Sequence, residues 1–315
     1  MAQLQHPVQD PAPQTRKIVA EARTLASRLP KLMLDARHIA STLSHGLHGR
    51  RRAGPGETFW QFRPFTAGEP AQRIDWRRSA RDDTRLFIRD REWEAAHTLS
   101  LWIDRSPSMA FKSGLSQVTK EDRALTLGLA LAQMLVAGGE KVGLIGLMPP
   151  LASRHIIERM AEALLADRAP SAEMPEILPL PARSEGILIG DLLLPPETIA
   201  TTLTALAAQG ALGHLIRIVD PVEETFPFSG ETELVETAGQ TPFFIGNAAD
   251  FRARYIAHMA GHDAALRMLA ARHGWTYQIH HTDKPATDAL RALMVRLSPG
   301  QGSAGQGSAA THLGA

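Results

Sequence analysis

Leu99-Ser100-Leu101-Trp102-Ile103-Asp104-Arg105-Ser106-Pro107-Ser108-Met109 decides how this chain is read. A short, largely apolar run, Leu99 to Ile103, stops abruptly at an acid and two hydroxyls. That pattern predicts a buried strand delivering polar groups to the edge of a sheet. In open α/β sheets ligands bind beyond the carboxyl ends of the strands. Asp104, Ser106 and Ser108 are hard oxygen donors at alternate positions, a spacing that suits one hard cation such as Mg²⁺. The competing reading is that Ser106 or Ser108 caps the next helix.

Downstream, the pattern alternates strand and helix. A helix is predicted over 121–137 and closed by Gly138-Gly139. A strand follows over 142–148 and is broken by Pro149-Pro150. Further strands are expected at 186–194, 211–220 and 275–280, with helices at 155–166, 198–208, 248–273 and 287–297 and a hairpin within 226–244. Nearly all-apolar strands alternating with helices predict a mainly parallel sheet covered on both faces. Three strands end in an acid, Asp104, Asp191 and Asp220, and acids on the ligand edge could share one site. His280-His281 reads as a surface pair rather than a ligand pair.

Upstream, residues 1–15 carry three prolines and read as a flexible tail. Residues 16–48 show helical spacing that Pro30 is expected to break or kink. Residues 49–96 read as a small β-rich module. Its stretch from Gly49 to Arg91 holds eleven arginines, six acids and no lysine, with Phe59, Trp60, Phe62 and Phe65 crowded together. Exclusive use of the planar arginine fork favours an internal pairing network over a loose nucleic-acid surface. Asp75 is expected to accept from Arg63, Arg73 or Arg81, and Trp76 to bury against the seam with the sheet domain. That domain is expected over 97–297, and the Gly/Ser/Ala-rich residues 298–315 read as a disordered tail.

The chain has 315 residues, 44% of them apolar, which is enough for a sizeable core. A net charge of +1 gives no global attraction to nucleic acid or an anionic surface. No cysteine is present, which excludes disulfides, thiolate metal sites and a cysteine nucleophile and suits a reducing compartment. The N-terminus has no apolar leader core, and the longest apolar stretch, 124–137, is too short to span a bilayer. These features predict a cytoplasmic location, with peripheral membrane association left open.

The strand followed by D-x-S-x-S-M resembles the first segment of the metal-ion-dependent adhesion site (MIDAS) of von Willebrand factor A-type domains. Gly54-x-Gly56, Arg63-Pro64-Phe65, Gly68-Glu69 and Arg73-Ile74-Asp75-Trp76-x-x-Ser79-Ala80-Arg81 resemble the signature of the uncharacterised domain family 58 (DUF58). Its members are von Willebrand A-like proteins often encoded beside MoxR-type AAA+ ATPases. The resemblance implies a von Willebrand A-like, Rossmann-type sheet. It also implies a non-catalytic, Mg²⁺-dependent interaction scaffold that works with such an ATPase in assembling or maturing a protein complex. Asp104, Ser106 and Ser108 match the first loop of the metal site and Asp191 the third. Ser153 stands where a threonine is usual, and Glu69 where the pattern has Asp. Mn²⁺ or Ca²⁺ are alternative ions, and a client carboxylate would complete the shell. Two other functions compete. A metal-dependent phosphohydrolase would use Asp104 as nucleophile, but the second carboxylate it needs two residues later is Ser106. A nucleic-acid binder would use the arginine-rich module.

Overall fold

The computed structural model describes residues 13–47, 58–66, 74–82, 85–92, 97–167, 172–181, 184–235 and 242–297. A long helix α1 (Pro13–Leu47) opens the chain. Leu25, Leu29, Leu32, Ala36, Ala40 and Leu43 form its buried stripe, which packs chiefly on α3 (Lys120–Ala137). The expected break at Pro30 is absent. Pro30 and the Ala26 carbonyl that loses its donor both lie on the solvent side, where water can satisfy that oxygen.

Next comes a ribbon, β1 (Thr58–Pro64) paired antiparallel with β2 (Phe87–Glu92), with the one-turn α2 (Trp76–Ser79) between them. Asp75 caps α2 by accepting from the Arg78 backbone N–H at 2.9 Å. This replaces the arginine fork expected for it. Buried Ser79 accepts from Phe87 N at 2.8 Å, which ties α2 to β2. Trp76 is 61% exposed and does not bury in a seam. Arg81 is exposed as well. Glu69 and Arg73 lie outside the described residues, and Arg63 is placed on β1 by its backbone alone.

The main sheet has six strands in the order β10-β7-β6-β3-β4-β5. These are β3 (Thr98–Ile103), β4 (Lys141–Leu144), β5 (Met148–Leu151), β6 (Ser184–Gly190), β7 (Leu212–Val219) and β10 (Thr276–His281). All run parallel except β5, which returns antiparallel on β4. The fold is therefore the mainly parallel α/β sheet that the strand–helix alternation predicts. Alternate residues divide the core. Leu99, Leu101, Ile103, Ile187, Ile189, Ile216 and Ile218 face α3, α4 (Ile156–Ala166) and α8 (Ala286–Arg296). Leu188, Leu215 and Tyr277 face α5 (Pro196–Ala208) and α7 (Ala248–Arg272). A second ribbon, β8 (Thr232–Val235) with β9 (Pro242–Ile245), follows the short α6 (Pro221–Thr225) and ends one residue beyond the expected hairpin.

The expected strand over 142–148 is in fact two strands. β4 ends at Leu144, the chain turns through Gly146 at φ +77, and Pro149-Pro150 lie inside β5. Proline is tolerated there because β5 is an edge strand and its pairing with β4 shifts register at this point, two residues of β5 standing opposite Gly143.

On the other side of the sheet, the Trp275 ring lies over two glycines on neighbouring strands and donates to Ala211 O at 3.1 Å. A Cβ on Gly213 would stand 2.2 Å from Gly186 O and 2.8 Å from the indole. Gly213→Ala is expected to cost at least about 2 kcal/mol, because backbone rather than a flexible side chain must move. A urea denaturation midpoint equal to that of the parent would refute this account of the contact.

Candidate functional site

The parallel strands bring their carboxyl ends together beside the first turn of α3. β3 delivers Asp104, whose N–H donates to Ile189 O at 2.8 Å, locking its backbone to β6. Asp104 is 1% exposed. Its Oδ1 accepts from the Ser106 N–H at 2.8 Å, and its Oδ2 has no hydrogen-bond partner among the described residues. Gly190 makes room for it, since a Cβ there would stand 2.9 Å from that oxygen. Burial, with the Asp191 charge adding to it, pushes the Asp104 carboxyl up to about 7.

Ser106 and Ser108 flank Pro107, at the start of a 3₁₀ turn (Pro107–Ala110) that buried Met109 anchors. Neither serine caps α3. Thr119 does so, accepting from Asp122 N at 3.0 Å, and Ser106 makes no side-chain cap on its own turn. The two hydroxyl oxygens instead stand 3.0 Å apart. Arg105, between Asp104 and Ser106, pins the loop to the end of α4 through Leu164 O and Asp167.

Asp191 arrives from β6, as the sequence predicts, and interacts electrostatically with Asp104. Its Oδ2 accepts from Lys120 Nζ at 3.0 Å, and the same ammonium donates to Glu223 Oε1 at 2.7 Å. Lys120 is 1% exposed. Burial pulls it down, but Asp191 and Glu223 outweigh burial and hold its pKa above the ordinary lysine value. Glu223 Oε2 accepts from Asp220 N at 2.9 Å, and Asp220 accepts from Val222 N and Ser113 N at 3.0 and 2.9 Å. Asp220, the third strand-end acid, thus caps α6 and ties down the loop before α3. Behind Asp191, Arg217 donates to its carbonyl at 3.1 Å and pairs with Asp263, which also accepts from the Tyr277 hydroxyl.

Ser153 is not part of this cluster. Leu151 pairs with Val142, and Val142 with Leu99, so the chain leaving β5 emerges at the amino end of the parallel strands. Asp104 lies five residues beyond Leu99, about 16 Å further along the sheet. Ser153 Oγ accepts from His155 N at 3.2 Å in the turn before α4. Lys120 and Glu223 are the site residues that the sequence reading missed. The one available signal was a lysine at the first position of a helix, at its positive dipole end, where only nearby carboxylates favour it.

The fit to Mg²⁺ can be tested on these atoms. Adjacent vertices of an octahedron with bonds of about 2.0–2.1 Å stand about 3 Å apart. The serine hydroxyls have that separation, and Asp104 Oδ2 is a buried acceptor with no hydrogen-bond partner among the described residues. Asp104, Ser106 and Ser108 thus offer the oxygen donors that the ion takes, and the hydroxyl pair has the spacing of two neighbouring ligands. Asp191 is committed to Lys120, and Ser153 belongs to the opposite edge.

A family model described as "Protein of unknown function DUF58" matches residues 61–265. The Uncharacterized protein Rv1480 of Mycobacterium tuberculosis is 27% identical over 270 residues, covering 78% of this chain and 83% of that protein. Uncharacterized protein Mb1516 of Mycobacterium bovis matches to the same extent. Among solved structures, the conserved hypothetical protein BatB from Bacteroides thetaiotaomicron aligns with a TM-score of 0.39 and 14% identity, covering 64% of this chain and 98% of that one. An aerotolerance-related membrane protein from Bacteroides fragilis aligns with a TM-score of 0.39 and 13% identity, with the same coverage. Among the described residues of the present chain, no helix is long and apolar enough to cross a membrane.

Removing the ammonium leaves two carboxylates facing each other at a buried edge. Lys120→Met is expected to cost about 3–5 kcal/mol, as for other broken buried ion pairs. Ser153→Ala, outside the cluster, should stay within about 0.5 kcal/mol of the parent. Equilibrium denaturation of both variants checks this, and equal stabilities would refute it.

Proposed function

The chain belongs to the DUF58 family, and from that premise we propose that it is a non-catalytic scaffold whose carboxyl edge binds partner proteins with the help of Mg²⁺. Asp104, Ser106 and Ser108 would hold the ion, which would supply a positive charge and an open coordination position for a partner carboxylate. The observation that carries this reading is two serine hydroxyls 3.0 Å apart on the loop that follows a buried Asp104, whose Oδ2 has no hydrogen-bond partner among the described residues. All three are hard oxygen donors on one short loop at the ligand edge of the sheet.

The remaining site residues suit holding rather than turnover. Lys120 and Glu223 fix Asp191, while Arg105 fixes the serine loop to α4. Asp104 is followed two residues on by Ser106, which leaves no acid/base partner at that spacing. A MoxR-type AAA+ ATPase is the proposed working partner and a client protein with an exposed acid the proposed ligand, in assembly or maturation of a larger complex. The reading rests on the resemblance of the D-x-S-x-S-M and R-I-D-W segments described above.

Calorimetric titration of the full chain with Mg²⁺ and Mn²⁺ tests the ion. Wild type should bind, and Asp104→Asn or the double substitution Ser106→Ala/Ser108→Ala should weaken binding at least about tenfold, one lost charge-assisted contact being enough for that. Co-purification with the co-expressed ATPase should fall in EDTA. Wild type that takes up neither ion, or variants that bind equally well, would sink the metal part of the proposal. Co-purification unaffected by EDTA would sink the link between ion and partner.

A further inference from the structure

Strand β10 and the turn that follows it carry a row of polar side chains on the face turned toward α3 and α8. Gln278, His280 and Thr282 occupy alternate positions, with Tyr277 and Ile279 on the opposite face. The expected surface pair is thus split. His280 is 4% exposed and Thr282 1%, while His281 turns outward to Glu224 at 2.7 Å. His280 Nε2 and Thr282 Oγ1 have no hydrogen-bond partner among the described residues, nor has Nε of Arg123, from the first turn of α3.

Arg123 reaches this row directly, since its Nη2 donates to Thr282 O at 2.7 Å. Its guanidinium is half-buried and makes no ion pair among the described residues. The acids around it are committed or act only at a distance. Asp122 pairs with Arg28, while Asp283, which pairs with Lys284, and Asp35 attract the guanidinium without forming an ion pair with it. Burial lowers Arg123, and burial together with the Arg123 charge pulls His280 down to about 4. A half-buried cation therefore stands beside two buried groups, each able to donate a hydrogen. Water would satisfy the hydrogen bonds alone, whereas an anion would also neutralise a guanidinium that Asp283 and Asp35 attract without pairing with it.

We propose that Arg123, His280 and Thr282 form a binding site for a small inorganic anion of the size of chloride, where the first turn of α3 meets the end of β10. The amino end of α3 adds its partial positive charge. Gln278 marks the inner end of the row. Its Nε2 donates to Ala289 O at 3.4 Å and its Oε1 is an acceptor, which suits a water and places the anion at the Arg123 end.

The test uses the full chain in EDTA, so that it is independent of the Mg²⁺ site. Melting is followed in sodium chloride and in sodium gluconate at equal ionic strength, together with the ³⁵Cl resonance linewidth. Wild type should show a saturable rise of melting temperature in chloride only, with chloride line broadening that bromide relieves. Arg123→Gln should abolish both effects. Thr282→Val keeps the side-chain shape, carries the comparison if Arg123→Gln does not fold, and should weaken the chloride response by about tenfold. Identical behaviour of wild type in the two salts with no line broadening would overturn the proposal and leave a row of waters only. A full chloride response in Thr282→Val would overturn it as well.

Discussion

One buried ammonium holds the working edge of this protein together. Lys120 sits at the start of the central helix and donates to acids from two different segments, Asp191 at the end of β6 and Glu223 in α6 after β7. Carboxylates that converge in a dry corner repel one another, and the corner persists only where a positive charge lies among them. Lys120 supplies that charge from within the chain. Through Glu223 it also fixes Asp220, and through Asp220 the loop at Ser113, so α3, α6 and two loops share one electrostatic knot. The serine loop is fixed separately, by Arg105 on α4 and by the Asp104 backbone on β6. The edge is thereby built from two independently anchored halves that meet between Asp104 and Asp191.

The layout of the sheet was legible because its strands are buried on both faces and end sharply in acids. Asp104 and Asp191 could be placed on one edge from that pattern alone, since parallel strands must end on the same side. Ser153 was misplaced for a local reason. Met148-Pro149-Pro150-Leu151 looks like a strand end followed by a breaker, so the reversal that turns β5 antiparallel leaves no mark in the hydrophobic pattern. Pro30 misled in the opposite sense. A proline on the solvent side of an amphipathic helix costs less than one facing the core, and burial of Leu25, Leu29 and Leu32 carries the helix through it.

Side-chain partners were less legible than strand order, because composition names residue types and not their neighbours. The R-I-D-W string invites an arginine–carboxylate fork, yet Asp75 spends an oxygen on the Arg78 amide, the nearest donor that its helix-cap position offers. Trp76 belongs to a residue type usually found in cores, and it faces out because the turn it opens is one helical turn long and buries Ser79 instead. His280 and His281 are adjacent in sequence and opposite in environment, since neighbouring residues of a strand point to opposite faces. Lys120 was the hardest to see, as a lysine among Thr, Glu and Asp looks like any solvated helix start.

The prolines of β5 have a further consequence. The outer margin of a sheet is a row of bare amide and carbonyl groups onto which another chain can zip. Met148-Pro149-Pro150-Leu151 is the outermost strand of this sheet, and two of its four residues carry no amide hydrogen at all. A foreign strand arriving on this side would find no continuous set of donors to register against, so the α/β body is protected there from chain-to-chain polymerisation. That protection comes from the covalent structure of the backbone and persists through fluctuations that loosen side-chain packing.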